Sequence, residues 1–435
     1  MRRRLERYFE FDSLKTNWRT EILAGMTTFV TMSYIIFVNP SILRDAGMPF
    51  TPVVAATCLS AAFGSLLMGA WARYPIALAP GMGLNAYFAY VVVKGMGLSW
   101  EVALGAVFLS GALFVALAMA GVIRRILASI PTELYSSIAA GIGLLLALIG
   151  FRNSGIIVPD ASTTVALGNL RAPNTLLAIF GLLLIAALLA WRVKGAMLIG
   201  ILATVALGAA TGLVHWTPQT YRFSGISATA LRLDLPRALG LGFVEIVFVF
   251  FFIDVFDNVG TLVAVGRKAR LFDDASRIPR VNRILISDAS ATIAGSLAGT
   301  STVVNYIESA AGVVAGGRSG VTSIVTGLLF LAALFVAPVF GVIPSTATAP
   351  ALIIVGCLMI SHISEIRWDE PVVAIPAFLT MTAIPLSFSI ANGIAFGFTA
   401  YTLLKILHGE YRQVGWLVYV LTALFILRFV YLGST

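Results

Sequence analysis

Apolar residues run along this chain in long blocks, cut by short polar patches, from Thr20 almost to the C-terminal end. A helix that crosses a bilayer needs about 20 mostly apolar residues. On that measure the pattern predicts spans near 20–39, 53–71, 76–93, 101–123, 131–150, 172–191, 195–214, 239–263, 281–298, 303–317, 319–341, 347–362, 370–388 and 390–408. A further apolar stretch, 415–432, either crosses or lies in the interface. The polar stretch 215–238 divides the fourteen predicted spans into seven and seven. An odd number per half makes the second half enter the membrane from the opposite side, which is the arithmetic of an inverted repeat. The expected fold is therefore an all-α polytopic membrane protein.

Composition supports that class. Of the 435 residues, 59% are hydrophobic and 11% charged, whereas a soluble domain carries about 25% charged residues. Cys58 and Cys357 lie far apart in apolar runs and give neither a disulfide framework nor a metal spacing. His215, His362 and His408 are scattered, so no zinc motif is present. The opening MRRRLERYFEF lacks an apolar core and a cleavage site; it reads as a basic, amphipathic lead-in on the membrane surface, not a signal peptide.

A net charge of +9 would suit nucleic acid, but the distribution of that charge speaks for membrane topology. With the N-terminus inside, 21 Lys and Arg fall on inner segments and 7 on outer ones, Arg428 in the last stretch aside. Positive charge retains loops in the cytoplasm. The six basic residues between Arg267 and Arg283 come out inside only if an even number of crossings precedes them.

The third span of each half is interrupted. In YPIALAPGMGLNAYFAYVV (74–92), Pro80, Gly81 and Gly83 allow a helix only from about Gly83 onward. In SLAGTSTVVNYIESAAGVVAGG (296–317), Gly299 to Thr302 form a polar opening, β-branched residues follow, and a short helix is expected from about Asn305. Gly and Pro are frequent in membrane helices for packing reasons alone. Interruptions at matching places in two halves nevertheless point to a transporter's binding site. Non-helical backbone at that depth requires cover by protein or a cavity.

Acids sit near these breaks. Asp254 and Asp257, at i and i+3, share one face of the eighth span, and Asn258 extends the polar surface. Counted from Leu239 at about 1.5 Å per residue, Asp254 lies roughly 22 Å in. Glu308 falls in the tenth span, Asp288 in the ninth and Asn85 in the third. Ionised groups at mid-membrane cost at least about 2.5–3.5 kcal/mol and are functional by default. Such carboxylates can exchange a proton, since burial and like charge disfavour a doubly ionised pair. They can also accept hydrogen bonds from a ligand's N–H groups. Asp288, near the basic loop, equally fits a structural pairing with a loop arginine. An intramembrane aspartyl protease would bring its two aspartates from separate helices in a Gly-x-Gly-Asp context, which is missing. No Ser/His, Cys/His or Walker-type pattern appears either, so an enzyme is not expected. A channel does not need broken helices around buried acids.

Five ordered stretches, GMTTFVTMSYIIFVNP (25–40), APGMGLNAYFAY (79–90), DVFDNVGTL (254–262), GTSTVVNYIESAAGVVAGGRSG (299–320) and IPAFLTMTAIPLSFSIANGIAFGF (375–398), resemble the nucleobase/cation symporter-2 (xanthine/uracil permease) family, in particular its AzgA-like purine branch. The resemblance covers essentially the whole chain. It implies a UraA-like fold of fourteen segments in two inverted repeats of seven, with short strands and half helices in segments 3 and 10. The implied order is a basic cytoplasmic segment 1–19, core halves 20–123 and 239–341, gate halves 131–214 and 347–408, an extracytoplasmic connector 215–238 and a C-terminal segment 409–435. It implies a proton-coupled hypoxanthine, guanine and adenine importer of the cell membrane, with no cofactor beyond the coupling proton and no nucleic-acid partner, and it is compatible with a homodimer.

Carried over by motif, Asp254 and Glu308 correspond to the purine-binding carboxylates and the proton-coupling pair. Gly83, Asn85 and Thr302 correspond to positions beside the base. Asp257, Asn258, Asp288 and Asn305 are supporting polar residues, and the stretch around Thr27 and Thr28 also matches. Asn258 stands where many members have Thr, Asn392 where many have Asp, and 415–432 exceeds a fourteen-span count. A uracil or xanthine permease, and an anion transporter of the same fold, remain as alternatives; the latter would want basic residues facing the half helices.

Overall fold

A computed structural model of the chain describes residues 2–123, 131–214, 227–240, 243–268, 278–337 and 343–431, which are mostly helical. The first half of the connector 215–238 and the middle of the basic run 267–283 lie outside the described residues. Among the described residues, seven helices are long and apolar enough to cross a membrane: Trp18–Asp45, Phe50–Ala72, Trp100–Met119, Thr132–Asn153, Pro173–Ala190, Ser345–Glu365 and Ile390–Leu407. Ala196–Ala210, Gly320–Val336, Pro371–Ser387 and Trp416–Leu427 are shorter apolar helices.

Two expected boundaries move. The first span, predicted over 20–39, extends to Asp45 but breaks at Ser33–Tyr34, between Trp18–Met32 and Ile35–Asp45. The hydroxyls of Thr31 and Ser33 donate back to the carbonyls of Thr27, Thr28 and Val30, a pattern that bends helices. The break buries Tyr34 completely. The eighth span starts at Phe243 instead of Leu239. Pro236 opens a separate one-turn helix, Leu235–Ala238, capped by Asp234 on the Arg237 N–H, and Gly240 follows it. Asp254 consequently lies about 16 Å into the Phe243–Lys268 helix, nearer its middle than expected.

The chain forms two compact units, one of Met1–Met119 with Ser154–Ala351, the other of Ala120–Asn153 with Leu352–Thr435. In the first, Gly320–Val336 packs on Phe50–Leu67 and Trp18–Met32, and Val281–Ala298 packs on Trp100–Met119 and Phe50–Leu67. Small residues allow these approaches. A Cβ on Gly320 would stand 2.0 Å from the Gly69 carbonyl oxygen, and one on Gly25 would stand 2.6 Å from that of Thr322. Phe250 stacks edge-on against Tyr87 at 4.9 Å, and Phe251 against Phe114 at 5.8 Å. These contacts seat the Phe243–Lys268 helix just before its acids.

The N-terminal lead-in is docked on the first unit. Phe9 and Phe11 are buried with Val321. Glu10 bridges Arg73 and Arg280, each at 3.2 Å. All three residues have left-handed backbone, with φ of 60°, 62° and 57°.

In the second unit, Pro371–Ser387 packs on Ile390–Leu407 and Thr132–Asn153. The C-terminal stretch forms a helix, Trp416–Tyr431, joined to Ile390–Leu407 by the Thr402 and Thr422 hydroxyls at 2.8 Å. At 16 residues it is about 24 Å long, short of a hydrocarbon core of about 30 Å.

Both interrupted segments contain a three-residue strand, Leu78–Pro80 and Val303–Asn305, and the two pair antiparallel with Ala79 opposite Val304. The Gly81 N–H donates to the Thr302 carbonyl at 2.9 Å and the Tyr306 N–H to the Ala77 carbonyl at 3.0 Å. The Tyr306 hydroxyl closes on the Pro80 carbonyl at 2.6 Å. Pro80 lacks an N–H, so its place in a strand requires that side of the ladder to be vacant. A Cβ on Gly81 would stand 2.8 Å from Val304 Cγ2, so glycine is needed for the strands to meet.

The first short helix starts at Met82, one residue from expectation. The second starts at Ser309 instead of Asn305, because Val303 and Val304 extend into the strand pair, and Glu308 becomes its N-cap.

Candidate functional site

The strand pair is the frame on which the acids and amides are mounted. Thr292, on Val281–Ala298, donates its hydroxyl to the Val303 carbonyl at 2.9 Å and accepts the Val303 N–H at 3.2 Å. The same hydroxyl lies 3.4 Å from Asp254 Oδ2. Asn258, one turn after Asp254, donates through Nδ2 to Asp254 Oδ1 at 2.9 Å and to Asp288 Oδ2. Its Oδ1 accepts the Asn305 N–H at 3.2 Å. Asn258 thus joins the eighth span, the ninth span and the second strand.

A threonine at 258, with a single O–H, could donate to one of these carboxylates but not both. The amide at this place has a reason that the sequence did not show. Asp254, Asn258 and Asp288 are fully buried. Among the described residues, no Lys or Arg forms an ion pair with Asp254, Asp288 or Glu308. Asp288 is thus held by Asn258 and not by a described arginine, and its Oδ1 has no hydrogen-bond partner. Asp257 is half-buried one turn beyond Asp254.

Glu308 is half-buried, and its Oε1 accepts the Tyr34 hydroxyl at 2.5 Å. The break at Ser33–Tyr34 is what brings that tyrosine over the second strand's end. The adjoining short helix is fixed from two sides. Ser309 Oγ accepts the Ala77 N–H at 3.0 Å. Gly312 passes so close to Thr28 that a Cβ there would stand 2.1 Å from Thr28 Oγ1.

A second polar cluster joins both interrupted segments to the first two spans. Asn85 donates to Asn39 Oδ1 at 2.6 Å and accepts from the Ser301 hydroxyl at 2.6 Å. Asn39 in turn donates to Thr57 at 2.7 Å and Thr300 at 2.9 Å. All five are buried without exposure. The structure therefore brings Asp254, Asn258, Asp288 and Asn305 into one cluster and Glu308 to the start of the adjacent helix. Asn85 belongs to the other cluster, with both ends of its amide engaged. Gly83 is in the first short helix, Met82–Ala86, and is half-buried. Thr302 is buried with no partner for its hydroxyl.

Tyr34, Asn39, Thr292 and Ser301 were missed as site residues. Tyr34 and Asn39 lie in the 25–40 motif, where an isolated polar group in an apolar span was their available signal.

Buried acids and amides thus gather around the paired breaks, and comparison with known proteins gives the family. The sequence model of the Xan_ur_permease group, a permease family, matches residues 19–396. The chain belongs to this permease family. It is 42% identical over 430 residues to the adenine permease AdeP of Escherichia coli, covering 99% of this chain and 97% of that protein. It is 44% identical over 444 residues to the guanine/hypoxanthine permease PbuG of Bacillus subtilis, covering 98% and 100%. The sequence thus falls in the purine-permease branch of the family, and the protein is a multi-pass membrane permease, not an enzyme.

Among solved structures, the transmembrane domain of the cyanobacterial bicarbonate transporter BicA matches with a TM-score of 0.65 at 14% identity, covering 86% of this chain and 97% of that one. The murine anion transporter Slc26a9, in its inward-facing state, matches with 0.65 at 12%, covering 90% and 69%. At such identities the likeness concerns the fold alone.

Proposed function

We propose that this permease imports purine nucleobases, hypoxanthine, guanine and adenine, together with a proton, by alternating access across the cell membrane. The observation that carries the reading is the placement of Asp254 and Glu308, two acids without an arginine or lysine partner among the described residues, about one strand pair made by both interrupted segments. The names of the 42–44% identical relatives support the substrate class. In this reading the fourteen segments form two inverted repeats of seven, with the N-terminus in the cytoplasm.

Glu308 accepts hydrogen bonds from ring N–H groups of the base. Asp254 meets the opposite edge and carries the coupling proton. Gly83 and Thr302 stand beside the base, Asn85 braces the first interrupted segment through Asn39 and Ser301, and Asp257, Asn258, Asp288 and Asn305 support the site. Coupling follows from the cost of an unpaired buried charge. Reorientation is favourable when proton and base occupy the site together. Acids at these places do not suit an anion as cargo, despite the fold shared with anion transporters.

Radiolabelled uptake in cells lacking base transporters tests this, with each purine and uracil as competitors and with a protonophore. Saturable purine uptake that rises as external pH falls and collapses with the proton gradient is expected. Absence of any nucleobase uptake removes the substrate claim, and uptake indifferent to the gradient removes the coupling claim.

A further inference from the structure

Asn305 is the least satisfied buried amide next to the paired acids. It is 3% exposed. Its backbone N–H is held by Asn258, whose own amide holds Asp254 and Asp288. It ends the second strand opposite Leu78, three residues before Glu308. Yet among the described residues neither its Nδ2 nor its Oδ1 has a hydrogen-bond partner. Asn85, equally buried, has partners for both. Folded proteins pair nearly all such atoms, and each orphan costs about 1–3 kcal/mol. Asn305 thus presents a buried donor and acceptor side by side, linked to Asp254 through Asn258 and three residues before Glu308, a pair suited to a ligand that offers the complementary acceptor and donor.

We propose that Asn305 is a specificity-determining residue that pairs with a base edge presenting a hydrogen-bond donor next to an acceptor. The proposal rests on the purine reading above and deepens it. Hypoxanthine and guanine offer such an edge as N1–H beside the C6 carbonyl. Adenine offers the same pair in reversed order, as its exocyclic N–H beside a ring nitrogen. Rotating the amide by half a turn exchanges its own donor and acceptor, so one side chain serves both classes. A base without a substituent at C6 leaves one end of the amide unpaired and is disfavoured, as expected of sites built on buried polar groups.

The test is competition for uptake by the full chain and its variants Asn305→Ala and Asn305→Asp, using hypoxanthine, guanine, adenine and unsubstituted purine, with membrane abundance measured for each. Asn305→Ala should weaken hypoxanthine and adenine by about tenfold or more while changing unsubstituted purine by about twofold or less. Asn305→Asp, which only accepts when ionised, should retain guanine, whose N1–H and exocyclic N–H are adjacent donors. It should lose adenine, moving their ratio by about tenfold. Unchanged competitor ratios in both variants at wild-type abundance overturn the proposal, since an asparagine that merely supports the strand would scale all bases alike. If Asn305→Ala fails to reach the membrane, the ratio in Asn305→Asp decides. A wild-type chain that takes up no nucleobase would instead bring down the reading on which the proposal rests.

Discussion

Asn85, in the first interrupted segment, has both ends of its amide engaged by Asn39 and Ser301, whereas Asn305, in the second, has neither end engaged among the described residues. Both amides are buried, so depth does not explain the difference; Asn85 lies in the helix Met82–Ala86 and Asn305 at the end of the strand Val303–Asn305. Asn85 is closed into a cluster with Asn39, Thr57, Thr300 and Ser301 that ties four stretches of chain together. Beyond Ser301, the second segment holds the Thr302 hydroxyl and the Asn305 amide without a partner among the described residues, followed by the half-buried Glu308, which accepts from Tyr34. On the reading proposed above, the two breaks serve unequally, one as framework and the other as the place of recognition.

Removing the acids should have the largest effect. Asp254→Asn and Glu308→Gln should each lower proton-driven accumulation by about a hundredfold or more at normal abundance, measured by uptake. Full accumulation by Asp254→Asn would exclude it as the coupling residue. The ladder is the next point of attack. Gly81→Val forces a side chain into Val304 and should lower unfolding stability by about 1–3 kcal/mol, read as a depressed melting temperature in detergent. Asn85→Ala orphans Asn39 and Ser301 and should cost a similar or somewhat smaller amount, about 1–3 kcal/mol, with competitor ratios unchanged. A selective change of base preference by Asn85→Ala, with stability kept, would erase the contrast between the two segments. Tyr34→Phe removes one donor from Glu308 and should weaken apparent base affinity by about fivefold, with membrane abundance unchanged. Glu10→Gln, at the partly exposed Arg73 and Arg280 pair, should change stability by less than about 1 kcal/mol and leave base preference intact.

What the sequence showed and what it concealed divide along the range of the interactions. Run length and Gly/Pro punctuation are local, so the breaks at Pro80–Gly83 and Gly299–Thr302 were legible, and so was Met82 as a helix start to within one residue. The start at Ser309 was not, because the preference of Val303 and Val304 for a strand is realised only through a partner more than two hundred residues away. Asp254 and Glu308 were conspicuous, being charges in apolar runs. Tyr34 and Asn39 were not, since a lone tyrosine or asparagine in a span more often packs than binds. Asn258 was noticed as polar, but its bridge from Asp254 to Asp288 depends on how the eighth and ninth spans face each other. Of the six basic residues that orient the topology, Arg270 and Arg277 lie outside the described residues.

The ladder also sets a clock. Tyr306 closes on Pro80 across 226 residues of chain. At about 5–20 residues per second, roughly 10–45 seconds separate the synthesis of the two strands. Throughout that interval the first strand is within the membrane segment of a nascent protein whose second half does not yet exist. Unpaired backbone groups cost several kcal/mol each in lipid. The early half must therefore be sheltered by the insertion machinery or by its own neighbours until its partner emerges.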